Sequence, residues 1–121
     1  MSIKANQLWV VQVAAILSDE IQRQINQWDS FSLRTIGQQL VRAADSVGAN
    51  LVEGYGRVHG QDAVRFYSIA RGSLEETIYW LSRAQNRGLL EERRCKVMIT
   101  RYKILSRSLN KFIQTQQPSV K

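Results

Sequence analysis

Hydrophobic residues recur along this chain at the spacing of helix faces. Ala14, Leu17, Ile21, Ile25 and Trp28 lie three or four residues apart, which puts them on one side of a helix. That pattern predicts a first helix over residues 6–28. Leu33, Ile36, Leu40, Ala44, Val47 and Leu51 follow at steps of 3, 4, 4, 3 and 4, the spacing of a bundle seam, and predict a second helix over 33–54. Tyr67, Ala70, Leu74, Ile78, Leu81 and Ala84 mark a third over 62–87. Cys95, Met98, Tyr102, Leu105, Leu109 and Phe112 mark a fourth over 91–114. No useful length alternates with period two, so no strand is expected. Four helices with short joints predict one domain, residues 1–121. Its expected fold is all-α, an antiparallel up-down-up-down four-helix bundle.

The joints carry matching signals. Asp29-Ser30-Phe31-Ser32 supplies N-cap residue types. Gly54, Gly56 and Gly60 turn the chain within seven residues, with Asp62 as the expected N-cap beyond them and His59 as a loop residue. Gly88 follows Arg87 as a C′ residue, Glu91 and Glu92 suit a helix start, and Pro118 ends the last helix. Gly37 and Gly48 lie beside the second seam. Each costs about 1 kcal/mol against alanine in a helix interior, which predicts a close neighbouring helix.

The first helix is more apolar than one seam requires. At 100° per residue, Trp9, Val13 and Ile16 point away from the Leu17–Ile21–Ile25 side. Val97 and Ile104 likewise lie opposite the main stripe of helix four. An outer face of this kind is buried only by another molecule. The expectation is a homo-oligomer whose interface uses Trp9, Val13, Ile16, Val97 and Ile104.

Charge adds a second surface. The chain has 17 Lys+Arg against 10 Asp+Glu, a net +7 over 121 residues, and the excess is uneven. Residues 1–56 hold four cations against five acids, 57–90 hold five against three, and 91–121 hold eight against two. On helix four, Arg93, Lys96, Lys103, Arg107 and Lys111 fall within roughly 80° of one another, flanked by Arg94 and Arg101. These seven are the candidate contacts to the phosphate backbone of RNA or DNA. No Asn/Gln ladder accompanies them for reading base edges, so low sequence specificity is expected.

Other chemistry finds little support. One cysteine, Cys95, excludes an intramolecular disulfide framework and a Cys-based zinc site, and reads as a core thiol. Asp45, Glu53, Glu75 and Glu76 lack the histidine-bearing helix motif of a di-metal centre. Gly54-x-Gly56-x-x-x-Gly60 follows a helix rather than a strand and reads as a turn, not a phosphate loop. Arg42, Ser46 and Asn50 form a polar strip on helix two, either a buried network or a site. Nothing assembles a nucleophile, a base and an oxyanion donor. A non-enzymatic protein with no cofactor and no metal is expected. No apolar run reaches a membrane span, and the lone thiol suits a cytoplasmic setting.

The middle of the chain resembles the four-helix-bundle family of 23S rRNA intervening-sequence proteins. One stretch that carries the likeness is Gln39-Leu40-x-Arg42-Ala43-Ala44-x-Ser46-Val47-x-x-Asn50-Leu51-Val52-Glu53-Gly54-x-x-Arg57. The other is Phe66-Tyr67-x-Ile69-Ala70-Arg71-Gly72-Ser73-Leu74-x-Glu76. The likeness is dense over residues 33–81, and Trp28-Asp29-Ser30-Phe31 stands where the family has a Phe-Pro joint. The family includes the accessory variability determinant proteins of diversity-generating retroelements. The resemblance implies a homopentameric ring without enzymatic activity. For the retroelement branch it implies a basic nucleic-acid-binding surface and a reverse transcriptase partner. It marks Arg42, Ser46, Asn50, Glu53, Gly54 and Arg57 as motif positions, structural or functional. The competing expectation is a scaffold of the same family that binds a protein partner, with its charge incidental.

Overall fold

The computed structural model describes residues 5–57 and 60–116, with side chains from 8 to 115 within those limits. Among the described residues there are four helices and no strand. His59 and Pro118, read above as a loop residue and a helix stop, lie outside the described residues. Helix α1 runs Ala5–Ile25. Helix α2 is continuous through Ser30–Ser32, a π-helical turn at Leu33–Gly37, and Gln38–Tyr55. Helices α3 and α4 run Gly60–Asn86 and Glu92–Gln116.

The residue pairs that meet across the seams fix the topology. Gly37 faces Ile25 and Gly48 faces Ala14. Ser46 meets Ser73, and Gly54 faces Tyr67. Cys95 lies against Leu81 and Arg71 reaches Asn110. Glu20 pairs with Arg101. In each of the three consecutive helix pairs one number rises as the other falls, so each helix runs antiparallel to the next, and the Glu20–Arg101 pair shows α1 closing against α4. The predicted stripes form the core. Leu17, Ile36, Leu40, Val47, Leu51, Tyr67, Leu74, Leu81, Tyr102, Leu105 and Leu109 are all buried. Each such side chain contributes roughly 1.5–3 kcal/mol on leaving water.

The helix ends differ from expectation by one to three residues, α4 for example running on to Gln116, and two of the larger shifts have a visible cause. Helix α1 stops at Ile25, not Trp28, because the Trp28 amide turns back to the Ile25 carbonyl at 2.9 Å. Trp28 still packs half-buried against the core. Helix α2 starts at Ser30 rather than Leu33 because the Asp29 carboxylate accepts the Ser32 amide at 2.9 Å and the Ser32 hydroxyl at 2.8 Å. Those bonds hold the Asp29 carboxyl below the ordinary carboxylate range. Helix α3 starts at Gly60, so Asp62 sits in its first turn and is not the cap. The end at Gly88 is as expected. Its φ is +76°, and the Leu89 and Gly88 amides return to the Ala84 and Gln85 carbonyls at 2.9 and 3.0 Å, a Schellman close.

The close helix approach is also displaced from where the sequence suggests it. A methyl on Gly48 would meet Ala14 Cβ at an ordinary 3.7 Å, and the tight neighbour of Gly37 is the Ser32 carbonyl of its own helix, at 3.3 Å. Gly54 is the crowded position. It is a buried residue of the last α2 turn, pressed on the ring of Tyr67.

Candidate functional site

Two surfaces and one seam arise from this arrangement. The first surface is the outer side of α4. From Arg93 to the end of the chain there is no acidic side chain. Arg93, Arg94, Lys96, Arg101, Lys103, Arg107 and Lys111 are all exposed. Lys96 pairs with Glu92 one turn earlier, at 3.7 Å. Arg93, Arg94, Lys103, Arg107 and Lys111 form no ion pair with another described residue. Arg101 behaves differently from the rest. Its guanidinium donates to both carboxylate oxygens of Glu20, at 3.1 and 2.9 Å, and so faces α1. The structure therefore does not bring Arg101 together with Lys96, Lys103 and Arg107. In its place it adds Arg71 of α3, which donates to Asn110 at 3.1 Å and so sits beside the row. Sequence reasoning misses Arg71 because no periodicity within one helix reveals the α3–α4 register.

The second surface is the groove between α1 and α4. Trp9, Val13 and Ile16 line it from one side and Arg101, Ile104 and Leu105 from the other, with Leu17 beneath. Trp9, Ile16 and Ile104 are 46%, 60% and 47% exposed, a large apolar exposure for neighbouring side chains. Four of the five expected interface residues thus come together. Val97 does not: it lines a separate recess with Glu91, Glu92, Arg93 and Lys96.

The motif residues form a seam along α2 and α3. Arg42 donates to Gln39 and pairs with Glu76 at 3.6 Å. The Ser46 and Ser73 hydroxyls bond at 2.8 Å. Asn50 Nδ2 donates to the Ser46 carbonyl and hydroxyl at 2.8 and 2.9 Å. Arg57 pairs with Glu53 at 3.1 Å, and the guanidinium groups of Arg57 and Arg65 lie 4.4 and 4.5 Å from the centre of the Phe66 ring. A buried network is one of the two expectations for this strip. The network is present, but Arg42 and Glu53 are exposed and Ser46 and Asn50 half-buried.

The acids considered as metal or catalytic groups are dispersed. Glu53 and Glu76 go to Arg57 and Arg42, and Asp45 accepts from Ser18 of α1. The other perturbed groups lie in the core. Burial pushes Tyr55, Tyr102 and the Cys95 thiol up, with the charges of Asp45 and Glu20 adding to the effect on Tyr102. No helix is long and apolar enough to cross a membrane, among the described residues.

Comparison with known proteins gives a consistent picture. The family model of the 23S rRNA-intervening sequence protein matches residues 6–111. A crystal structure of a protein of unknown function from the S23 ribosomal protein family of Bacteroides thetaiotaomicron VPI-5482 superposes with a TM-score of 0.82. The two share 17% identity over 90% of this chain and 98% of that one. At that identity the likeness establishes the four-helix fold. No curated protein matches the sequence. The motif on α2 and α3 and the match from residue 6 to residue 111 place the chain in the family of 23S rRNA-intervening sequence proteins.

Proposed function

We propose that this protein is a non-enzymatic, cytoplasmic accessory protein that binds RNA or DNA through the outer side of α4, with low sequence specificity. In this reading it assembles into a homo-oligomer, a pentameric ring, through the α1–α4 groove. It serves the reverse transcriptase of a diversity-generating retroelement. The observation that carries the reading is the outer side of α4 beyond Glu92, free of acids, where Arg93, Lys103, Arg107 and Lys111 stand exposed and unpaired among the described residues. Cations so placed are free to displace the counterions of a polyanion. Multiplication by an oligomer turns one row into a broad patch. The apolar groove supports the assembly, and family membership with a strongly basic last helix supports the retroelement branch.

The test is a charge reversal. The variant Lys103→Glu/Arg107→Glu/Lys111→Glu is expected to lower affinity for mixed-sequence nucleic acid by about 100-fold or more near physiological salt. It should also flatten the salt dependence by about three units of slope. Unchanged affinity would remove α4 from the interface. Co-purification with a reverse transcriptase tests the partner. Recovery of some other single protein, with nucleic acid bound no better than by any protein of equal charge, would favour the scaffold reading. That alternative draws its support from the same exposed groove.

A further inference from the structure

Nucleic acids differ in what they ask of a protein surface. A single strand held without sequence preference is bound by cations along its backbone and by aromatic rings on which its bases stack. A duplex hides its bases and offers phosphates at about one charge per 1.7 Å of axis. The chain has ten aromatic residues, three Trp, four Tyr and three Phe, and all lie within the described residues. Helix α4 carries two of them, Tyr102 and Phe112, and both are buried in the core. Tyr55 and Tyr67 are buried as well. Trp28 packs half-buried on the core, and Phe66 is occupied by Arg57 and Arg65. Phe31 stands in the first turn of α2, and Trp9 belongs to the α1–α4 groove. Tyr79 is the one exposed ring on α3, and it is packed edge-on against Trp80 at 5.0 Å. The cationic row therefore has no rings interleaved with it. From Arg93 to Lys111 it extends about 27 Å at 1.5 Å per residue, a length over which the two strands of a duplex together carry about sixteen phosphates, those on the near side within reach of the row.

Resting on the nucleic-acid reading above, we propose that the α4 row takes the backbone of a double-stranded nucleic acid in preference to a single strand. Arg71 widens the row from the α3 side. The experiment uses the full chain and three labelled probes of about 24 nucleotides or base pairs: duplex DNA, duplex RNA and an unstructured single strand. Both duplexes are expected to bind, with the single strand at least about tenfold weaker. With the four unpaired cations of the row, Arg93, Lys103, Arg107 and Lys111 (Arg94 lies off it, about 100° round the helix from Arg93), duplex affinity should fall roughly 150-fold between about 50 and 200 mM salt for each engaged copy. Tyr79→Ala should leave all affinities unchanged, and Lys103→Ala/Arg107→Ala/Lys111→Ala should weaken both duplexes with an unaltered helical spectrum. A single strand bound as tightly as the duplexes, or a loss on Tyr79→Ala, would overturn the duplex preference and leave the nucleic-acid reading intact. Failure of all three probes to bind, or indifference to the triple variant, would overturn both. Comparison of the two duplexes then distinguishes an A-form ligand from a B-form one.

Discussion

Gly54→Ala is expected to lower the stability of the fold by about 2 kcal/mol, despite the better helix propensity of alanine. A Cβ at this position would sit 2.8 Å from Tyr67 Cδ1 and closer still to Cε1. The ring has nowhere to go. Tyr67 is 1% exposed and is held by Tyr55 at 5.7 Å and Phe112 at 6.4 Å between ring centres. Making room means moving α2 away from α3 or driving the ring off its rotamer, and either loosens contacts along the whole seam. Gly72 is the internal control. It lies in the exposed middle of α3, where a methyl would meet nothing within 4 Å. Gly72→Ala should therefore gain about 0.5–1 kcal/mol from propensity alone. For a domain of this size, the two variants should separate by roughly 10 °C or more in Tm. Thermal unfolding at one fixed protein concentration is the measurement, because any self-association makes Tm depend on concentration. Equal Tm values for the two variants would mean that α2 and α3 lie further apart than the structure has them.

Trp9→Glu is expected to abolish self-association. Trp9 lies at one end of the groove with Ile16 and Ile104, and burial of each large apolar side chain contributes roughly 1.5–3 kcal/mol to an interface. A carboxylate there removes the ring and also demands hydration, so an assembly that buries the groove loses on both counts. The fold itself should survive, since Val10, Ala14 and Leu17 on the inner side of α1 are untouched. Light scattering is expected to give several chain masses for the wild type and a mass near 13.9 kDa for the variant. A wild-type mass near 13.9 kDa would end the assembly proposal.

The core is largely legible in the sequence. Its carriers, Ile36 to Leu51 on α2 and Cys95 to Phe112 on α4, need only the helical period to be found. That period depends on one helix at a time. What stays hidden depends on two. The crowding of Gly54 by Tyr67 requires the α2–α3 register, and the placement of Arg71 beside α4 requires the α3–α4 register. The Glu20–Arg101 pair joins residues 81 apart, and no local pattern separates Arg101 from its exposed neighbours. The start of α2 is obscured for another reason. Phe31, an apolar residue on an exposed turn at 65% exposure, interrupts the polar run, so the Asp29 cap looks like part of a joint.

The polar seam between α2 and α3 has a mechanical consequence. Arg42–Glu76, Ser46–Ser73 and Gly54–Tyr67 are spaced along it like teeth of a comb. Sliding one helix by a single turn would unhook all three together and push a side chain into the Tyr67 ring. Apolar seams alone tolerate such slips far better, because one leucine substitutes readily for the next. The hairpin is thus keyed to this alignment, most firmly where Gly54 meets Tyr67, and whatever docks on the bundle meets a ruler, not a spring.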